Sequence, residues 1–368
     1  MTTNRSTLDF LFQTNRIDLR RGALFETSPG PMPVDFDFDR VEGMMLGLAV
    51  GDALGVATEG RLPAERAARH GEIRDYLPNR RHDGKALGYP SDDTQLAFRT
   101  LEQMIADGGF IPENVAARFC RNRIFGIGST VKAFVANYQS GQKQWYECGP
   151  KAAGNGAIMR IAPMLIPHLK TGTSELWVDT ALSAMITHND SASIAACLAF
   201  VNMLQQLLRM TAPPEPSWWL ESFVTVAGDL ERDANYRPRV PKLKAFRGTL
   251  SAFVAQEVSK ACEANLSVLE ACNSWFSGAY LLETVPSVIF MCMNHADNFE
   301  EGLVRAVNDT KDNDTVAAIV GAALGALHGK GKIPQRWLRK LTGRTAAADD
   351  GKIFELLEKA RTTWWRII

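Results

Sequence analysis

The sequence predicts an all-α protein: one compact multi-helix domain preceded by an N-terminal extension. Three observations point there. From Arg40 onward the chain is rich in Ala and Leu, in runs of helix length. Breakers divide those runs at Pro112, at Gly149-Pro150, at Pro213-Pro214-Glu215-Pro216 and across 329–334. Runs of β-branched residues that would read as strands are nearly absent. No repeat of fixed period is visible.

The elements follow in order. Residues 1–40 form the extension and 41–368 the helical domain. Within 1–27, Leu8, Phe10, Leu11, Phe12, Ile17 and Leu19 are scattered among Arg and Asp. Ser28-Pro29-Gly30-Pro31-Met32-Pro33 excludes helix and reads as a linker. Helices are expected over 40–56, 63–70, 93–107, 112–120, 129–139, 156–168, 174–188 and 191–211. More follow over 216–228, 250–260, 266–274, 278–294, 298–308, 314–328, 334–341 and 352–365. A basic stretch interrupts them, with Arg232, Arg237, Arg239, Lys242, Lys244 and Arg247 broken by Pro238 and Pro241. It reads as a solvated loop, or as a surface for phosphate or an acidic partner.

Composition excludes several classes. The 368 residues hold 41 Lys+Arg against 41 Asp+Glu, so the formal net charge is zero. Nucleic-acid binders draw their affinity from neutralising phosphates, so no nucleic-acid partner is expected. With 46% apolar residues and no net charge, bulk disorder is not expected either. The six cysteines contain no C-x-x-C pair and read as reduced core residues of a cytoplasmic protein. No basic segment followed by a long apolar run opens the chain, and the most apolar runs fall short of the roughly 18 residues of a span. No membrane partner is therefore expected.

Gly43, Gly47, Gly51 and Gly55 recur every fourth residue, and so do Gly321, Gly325 and Gly329. Each glycine inside a helix costs about 1 kcal/mol relative to alanine. The compensation expected is close approach of the two backbones, the early helix against the late one.

Two acidic clusters open helices: Ser91-Asp92-Asp93-Thr94 and Asp312-Asn313-Asp314-Thr315. One such residue suffices to cap a helix. Adjacent carboxylates repel unless a cation lies between them. Hydroxyl and carboxylate oxygens in this number suit Mg²⁺ or Mn²⁺. With Glu59 as a fifth carboxylate, this is the donor set of a two-metal hydrolytic site. The six histidines form no zinc-spaced group. Gly154-Asn155-Gly156 before Met159-Arg160 makes a loop whose N–H groups can face phosphate. His188, after Thr187, and Tyr280, after Gly278-Ala279, are weaker candidates for ligand contact.

Taken in series, these motifs resemble the ADP-ribosylglycohydrolase family. They are Gly47-Leu48-Ala49-Val50-Gly51-Asp52-Ala53-Leu54-Gly55, Ser91-Asp92-Asp93-Thr94, Gly154-Asn155-Gly156 with Met159-Arg160, Thr187-His188 and Asp312-Asn313-Asp314-Thr315. The resemblance runs from about residue 41 to about residue 330. It implies an orthogonal helical domain around a central site for two Mg²⁺ (or Mn²⁺). The ligands it implies are Ser91, Asp92, Asp93, Asp312, Asp314 and Thr315, with Glu59 near the metals. The substrate-binding set is Gly154, Asn155, Gly156, Met159 and Arg160 for the diphosphate and distal ribose, with His188 and Tyr280 as further contacts.

The reaction implied is hydrolysis of the bond between ADP-ribose and a modified protein side chain, most often arginine. Asp92 or Asp93 would take the proton of the attacking water, and Glu59 would serve the leaving guanidine. A second reading makes the protein an immunity partner that blocks an ADP-ribosyltransferase toxin through residues 1–40. A third is a metal-dependent phosphoesterase or an ADP-ribose binder without turnover. Two departures from the family pattern are Ser91 where threonine is common and Thr310-Lys311 where Gly-Gly is usual.

Overall fold

A computed structural model describes residues 3–78, 84–346 and 350–365. The helices run α1 (Asn4–Gln13), α2 (Asp39–Gly55), α3 (Pro63–His70), α4 (Asp92–Asp107), α5 (Pro112–Phe119), α6 (Ser129–Gln139), α7 (Glu175–Thr187) and α8 (Ser191–Leu207). They continue with α9 (Pro216–Leu230), α10 (Leu250–Glu263), α11 (Val268–Trp275), α12 (Leu281–His295), α13 (Phe299–Asp309), α14 (Asn313–His328), α15 (Gln335–Leu338) and α16 (Lys352–Ala360). Among the described residues no β-strand forms, only isolated bridges. The fold is all-α, as the spacing of breakers predicts.

Helices α2 and α14 form the central seam. The two glycine rows meet backbone to backbone. A Cβ on Gly47 would fall on the carbonyl of Gly321, and one on Gly51 on that of Ala317. Nearly every residue of both helices is buried, including Asp52, Asp314 and Thr315. The segment Asp39–Thr58 is long and apolar enough to cross a bilayer by length and composition, and 89% of that window is buried inside this domain. Its apolar character is accounted for by that burial.

The structure corrects the reading of 156–168. That stretch forms 3-10 turns, Ile158–Arg160 and Ala162–His168, because Pro163 and Pro167 cannot donate to an α-helical ladder. Gly278 and Ala279 form a bend, Tyr280 is extended, and α12 begins only at Leu281. Of the cysteines, Cys148, Cys197, Cys272 and Cys292 are buried, whereas Cys262 is exposed.

The extension folds onto the domain. Leu8, Leu11, Ile17, Leu19 and Phe25 are all buried. The Asn4 amide donates to Asp179 and to the Phe110 carbonyl, and Arg5 pairs with Glu175. The 28–33 stretch is not a free linker. Its carbonyls at Pro29, Gly30 and Pro31 accept from the Arg209 guanidinium, and the Met32 N–H donates to Leu169. The alternative reading of 1–40 as a docking arm rests on apolar residues without partners, and Leu8, Leu11, Ile17, Leu19 and Phe25 are buried within the chain. Residues 1 and 2 lie outside the described residues.

Candidate functional site

The first acidic cluster is organised by a buried carboxylate from the central seam. Asp52 accepts from the Ser91 backbone N–H at 2.8–2.9 Å and from the Ser91 hydroxyl at 2.8 Å. It also accepts from the Thr94 N–H at 3.0 Å and the Thr94 hydroxyl at 2.6 Å. Asp52 thus does for α4 what a local N-cap residue would do, from across the fold. With the Ser91 proton directed at Asp52, the serine oxygen keeps its lone pairs for a cation. Sequence reasoning missed Asp52 as a site residue. The available signal was an acid placed inside a glycine-striped apolar helix.

The second cluster is held from behind. Between Asp312 and Asp314, the Asn313 side chain turns away from the acids and donates to the Gly55 carbonyl, the Thr58 hydroxyl and the Val307 carbonyl. Arg66, fully buried, donates to the Thr58 hydroxyl and to the carbonyls of Arg61, Asn308 and Thr310. These contacts lock the turn carrying Glu59 to the chain entering Asp312. Close packing of Gly55 on Asp314 completes the join.

The two clusters face one cavity of about 360 Å³. Glu59, Asp92, Asp93, Asp312, Asp314 and Thr315 line one part of it. Gly154, Asn155, Gly156, Met159, His188 and Tyr280 line the rest, together with the 126–131 segment and Arg239. Carboxylate oxygens of Asp52, Asp93 and Asp314 lie within 4.8 Å of one another, and so do those of Glu59, Asp312 and Asp314. Asp314 belongs to both groups.

This donor set fits hard cations. It is all oxygen, and Asp93 Oδ1 is buried without a hydrogen-bond partner. Without a cation, burial and mutual repulsion drive these acids toward their protonated forms. Burial first, then Asp52, pushes Asp92 up to about 8. Burial and Asp312 raise Glu59 to about 7. Asp312 rises to about 6, through burial. Asp93 and Asp314 are also driven up, by burial and then by their acidic neighbours.

The ligand loop is tied to this centre. Asn155 donates through its amide nitrogen to Asp312 at 2.6 Å and to the Thr284 hydroxyl at 3.0 Å. Its backbone N–H donates to Ala279, and Gly154 bridges Tyr280 in antiparallel fashion. His188 is buried beneath Gly154 and Gly156, with Nδ1 2.9 Å from the Thr187 hydroxyl. Burial, then the Arg160 charge, lowers it to about 3, so the ring is neutral.

Two of the expected residues do not line the cavity. Ser91 lies just behind it, between Asp52 and Asp93. Arg160 is turned inward and completely buried. It donates to Ser183 and to the Thr187 hydroxyl, under the Phe119 ring. Its contact with the site is indirect, through Thr187 to His188. Gly126 closes over the first cluster with φ +79°, and a Cβ there would lie 2.7 Å from Asp92 Oδ1.

Comparison with known proteins identifies the family. The sequence profile of the ADP-ribosylglycohydrolase family matches residues 33–364. The chain is 28% identical over 310 residues to the ADP-ribosyl-[dinitrogen reductase] glycohydrolase of Rhodospirillum rubrum, covering 82% of this chain and 90% of that one. It is 26% identical over 329 residues to the ADP-ribosylarginine hydrolase Tri1 of Serratia proteamaculans, covering 86% and 78%. A solved structure titled ADP-ribosylglycohydrolase-related protein complex shares the fold, with a TM-score of 0.61 at 24% identity over 89% of this chain and 97% of that one. Family profile, relatives and fold converge on one conclusion: the chain belongs to the ADP-ribosylglycohydrolase family.

Proposed function

We propose that the protein is a hydrolase, dependent on two Mg²⁺ or Mn²⁺ ions, that removes ADP-ribose from a modified protein, with the N-glycoside of arginine as its linkage. The observation that carries this reading is the shared cavity: Glu59 from the turn after α2, Asp92 and Asp93 of α4, and Asp312 and Asp314 at the start of α14 converge with a glycine-flanked amide loop. The names of the Tri1 and dinitrogen-reductase relatives support the substrate class, and the Tri1 name supports arginine.

Bound cations would be held by Ser91, Asp92, Asp93, Asp312, Asp314 and Thr315, and would supply charge to orient ribose hydroxyls and acidify water. The chain's own groups account for the remainder. A carboxylate of Asp92 or Asp93 takes one proton from the attacking water. The water oxygen bonds to the anomeric carbon as the carbon–nitrogen bond breaks, through an oxocarbenium-like transition state. The bonding pair returns to the guanidine nitrogen, which takes a proton through Glu59. Glu59 suits this exchange because it is exposed at the rim while Asp92, Asp93 and Asp314 are buried. Asn155 fixes the Asp312 carboxylate, and the neutral His188 offers its outer nitrogen to the ligand loop side.

The test compares release of ADP-ribose from arginine-linked and O-linked protein substrates, with Mg²⁺, with Mn²⁺ and with chelator. Release from the arginine-linked substrate, abolished by chelator, is expected. Absence of release from any substrate refutes the reaction, and preference for the O-linked substrate refutes the linkage.

A further inference from the structure

The cavity is acidic at one end, and an ADP-ribosyl group carries a negatively charged diphosphate. Among the described residues that line the cavity, Arg239 is the only arginine or lysine. It comes from the basic stretch, in a loop without α-helix between α9 and α10. Its side chain is 58% exposed, yet it does not swing freely. Arg239 Nε donates to Glu283 Oε1 at 2.8 Å, and Nη2 donates to Glu283 Oε2 at 2.6 Å. Glu283 is buried in the first turn of α12. The guanidinium also lies over the Tyr280 ring, 5.3 Å from its centroid.

This geometry fixes which donors remain. A two-point pair with a carboxylate consumes one edge of the guanidinium and leaves Nη1 for another acceptor. The anchor is itself tied to the ligand loop. Leu281 N–H donates to the Ala153 carbonyl at 2.9 Å, one residue from the Gly154–Tyr280 bridge. Burying Glu283 costs free energy unless a cation pairs with it, so the pair holds Arg239 at the lip of the cavity. Arg237, Lys242 and Lys244 are exposed nearby in sequence and carry the same sign.

We infer that Arg239 is the phosphate-recognising residue of this cavity, with Nη1 donating to the diphosphate of the ADP-ribosyl group, and that Glu283 is its positioning residue. The inference rests on the ADP-ribosyl hydrolase reading above. It assigns a function to one residue of the basic stretch. A charge-assisted hydrogen bond of this kind is worth about tenfold or more in affinity.

The experiment uses the full chain with Mg²⁺ and measures ADP-ribose binding by calorimetry, KM and kcat on the modified protein, and Mn²⁺ binding. The variants are Arg239→Ala, Arg239→Lys and the double variant R239Q/E283Q, which leaves no buried acid unpaired. Arg239→Ala and the double variant are expected to weaken ADP-ribose at least tenfold and raise KM to match. In both, kcat stays within threefold and Mn²⁺ binding is unchanged. Arg239→Lys recovers part of the loss. Variants that bind Mn²⁺ normally and hold ADP-ribose within twofold of the wild type overturn the inference. A wild-type protein that releases no ADP-ribose yet binds inorganic pyrophosphate through Arg239 supports the inference and overturns only the reaction.

Discussion

Asp52 and Thr94 are 42 residues apart in sequence, yet the Asp52 carboxylate accepts from the Thr94 hydroxyl at 2.6 Å and from its backbone N–H at 3.0 Å. Ser91 gives the same acid its own hydroxyl and N–H. One buried carboxylate therefore sets the position of the first acidic cluster, which has no side-chain cap of its own.

Asp52→Asn follows from that relationship. An amide nitrogen would face N–H and O–H donors and leave buried groups unpaired. The expected cost is about 3 kcal/mol of stability, with Mn²⁺ affinity lowered more than tenfold. Thermal unfolding and Mn²⁺ titration check both. Unchanged affinity in a folded variant would show that Asp52 does not position the cluster.

The metal-free protein should lose stability as pH rises. Glu59, Asp92 and Asp312 have folded values raised to about 7, 8 and 6, against unfolded values near 4. Acids raised on folding contribute stability that is full below the unfolded value and is lost as pH rises through the folded one. Unfolding with chelator should show a falling midpoint from pH 5 to 8, and added Mg²⁺ should raise the midpoint more at pH 8. A flat profile with chelator refutes the arrangement.

Replacing Asp93 by Asn should act in opposite directions with and without cations. Without them the change removes a buried acid that its neighbours repel, and the midpoint rises. With Mg²⁺ the variant loses the wild type's stabilisation, and turnover falls at least a hundredfold. Equal stabilisation by Mg²⁺ in both proteins would exclude Asp93 from the cation site.

Gly126→Ala tests the lid over the first cluster. The residue needs φ +79°, and the added methyl would meet Asp92 Oδ1. The expected cost is about 1–2 kcal/mol, with turnover reduced through the displaced Asp92. Full activity in the variant would show that the 126–131 segment can shift away.

His188→Gln should raise KM and leave the shape of the pH–rate profile between 5 and 8 unaltered, because the ring already titrates near 3. An inflection near pH 6.5 that vanishes in the variant would contradict this.

Much of the site was legible because its acids occur as contiguous motifs. Each cluster follows a breaker or a polar turn and opens a helix, so spacing alone revealed both. Asp52 stood out inside the glycine-striped helix, but its role at the first cluster was not legible, since its partners lie 39 and 42 residues away. Arg239 was legible only as one charge among several, because its anchor Glu283 follows 44 residues later. Arg160 shares the ligand-loop motif, but its 3-10 turn sends the guanidinium toward Ser183 and Thr187. Helix α1 went unseen because only Leu8 and Leu11 of its ten residues are buried, too few to show a period. Over 156–168 the apolar pattern reads as an α-helix, but Pro163 and Pro167 turn the chain into 3-10 geometry.

The seam between α2 and α14 has a dynamic consequence. Where backbone meets backbone, no side chain can change rotamer to let the helices slide or part. Amide protons along the Gly47–Gly321 contact should therefore exchange with solvent only through global unfolding, among the slowest in the protein. Asp52 and Asp314 ride on those two helices, so the spacing of the carboxylates is as rigid as the seam. A cation therefore meets carboxylates whose spacing the seam has already set.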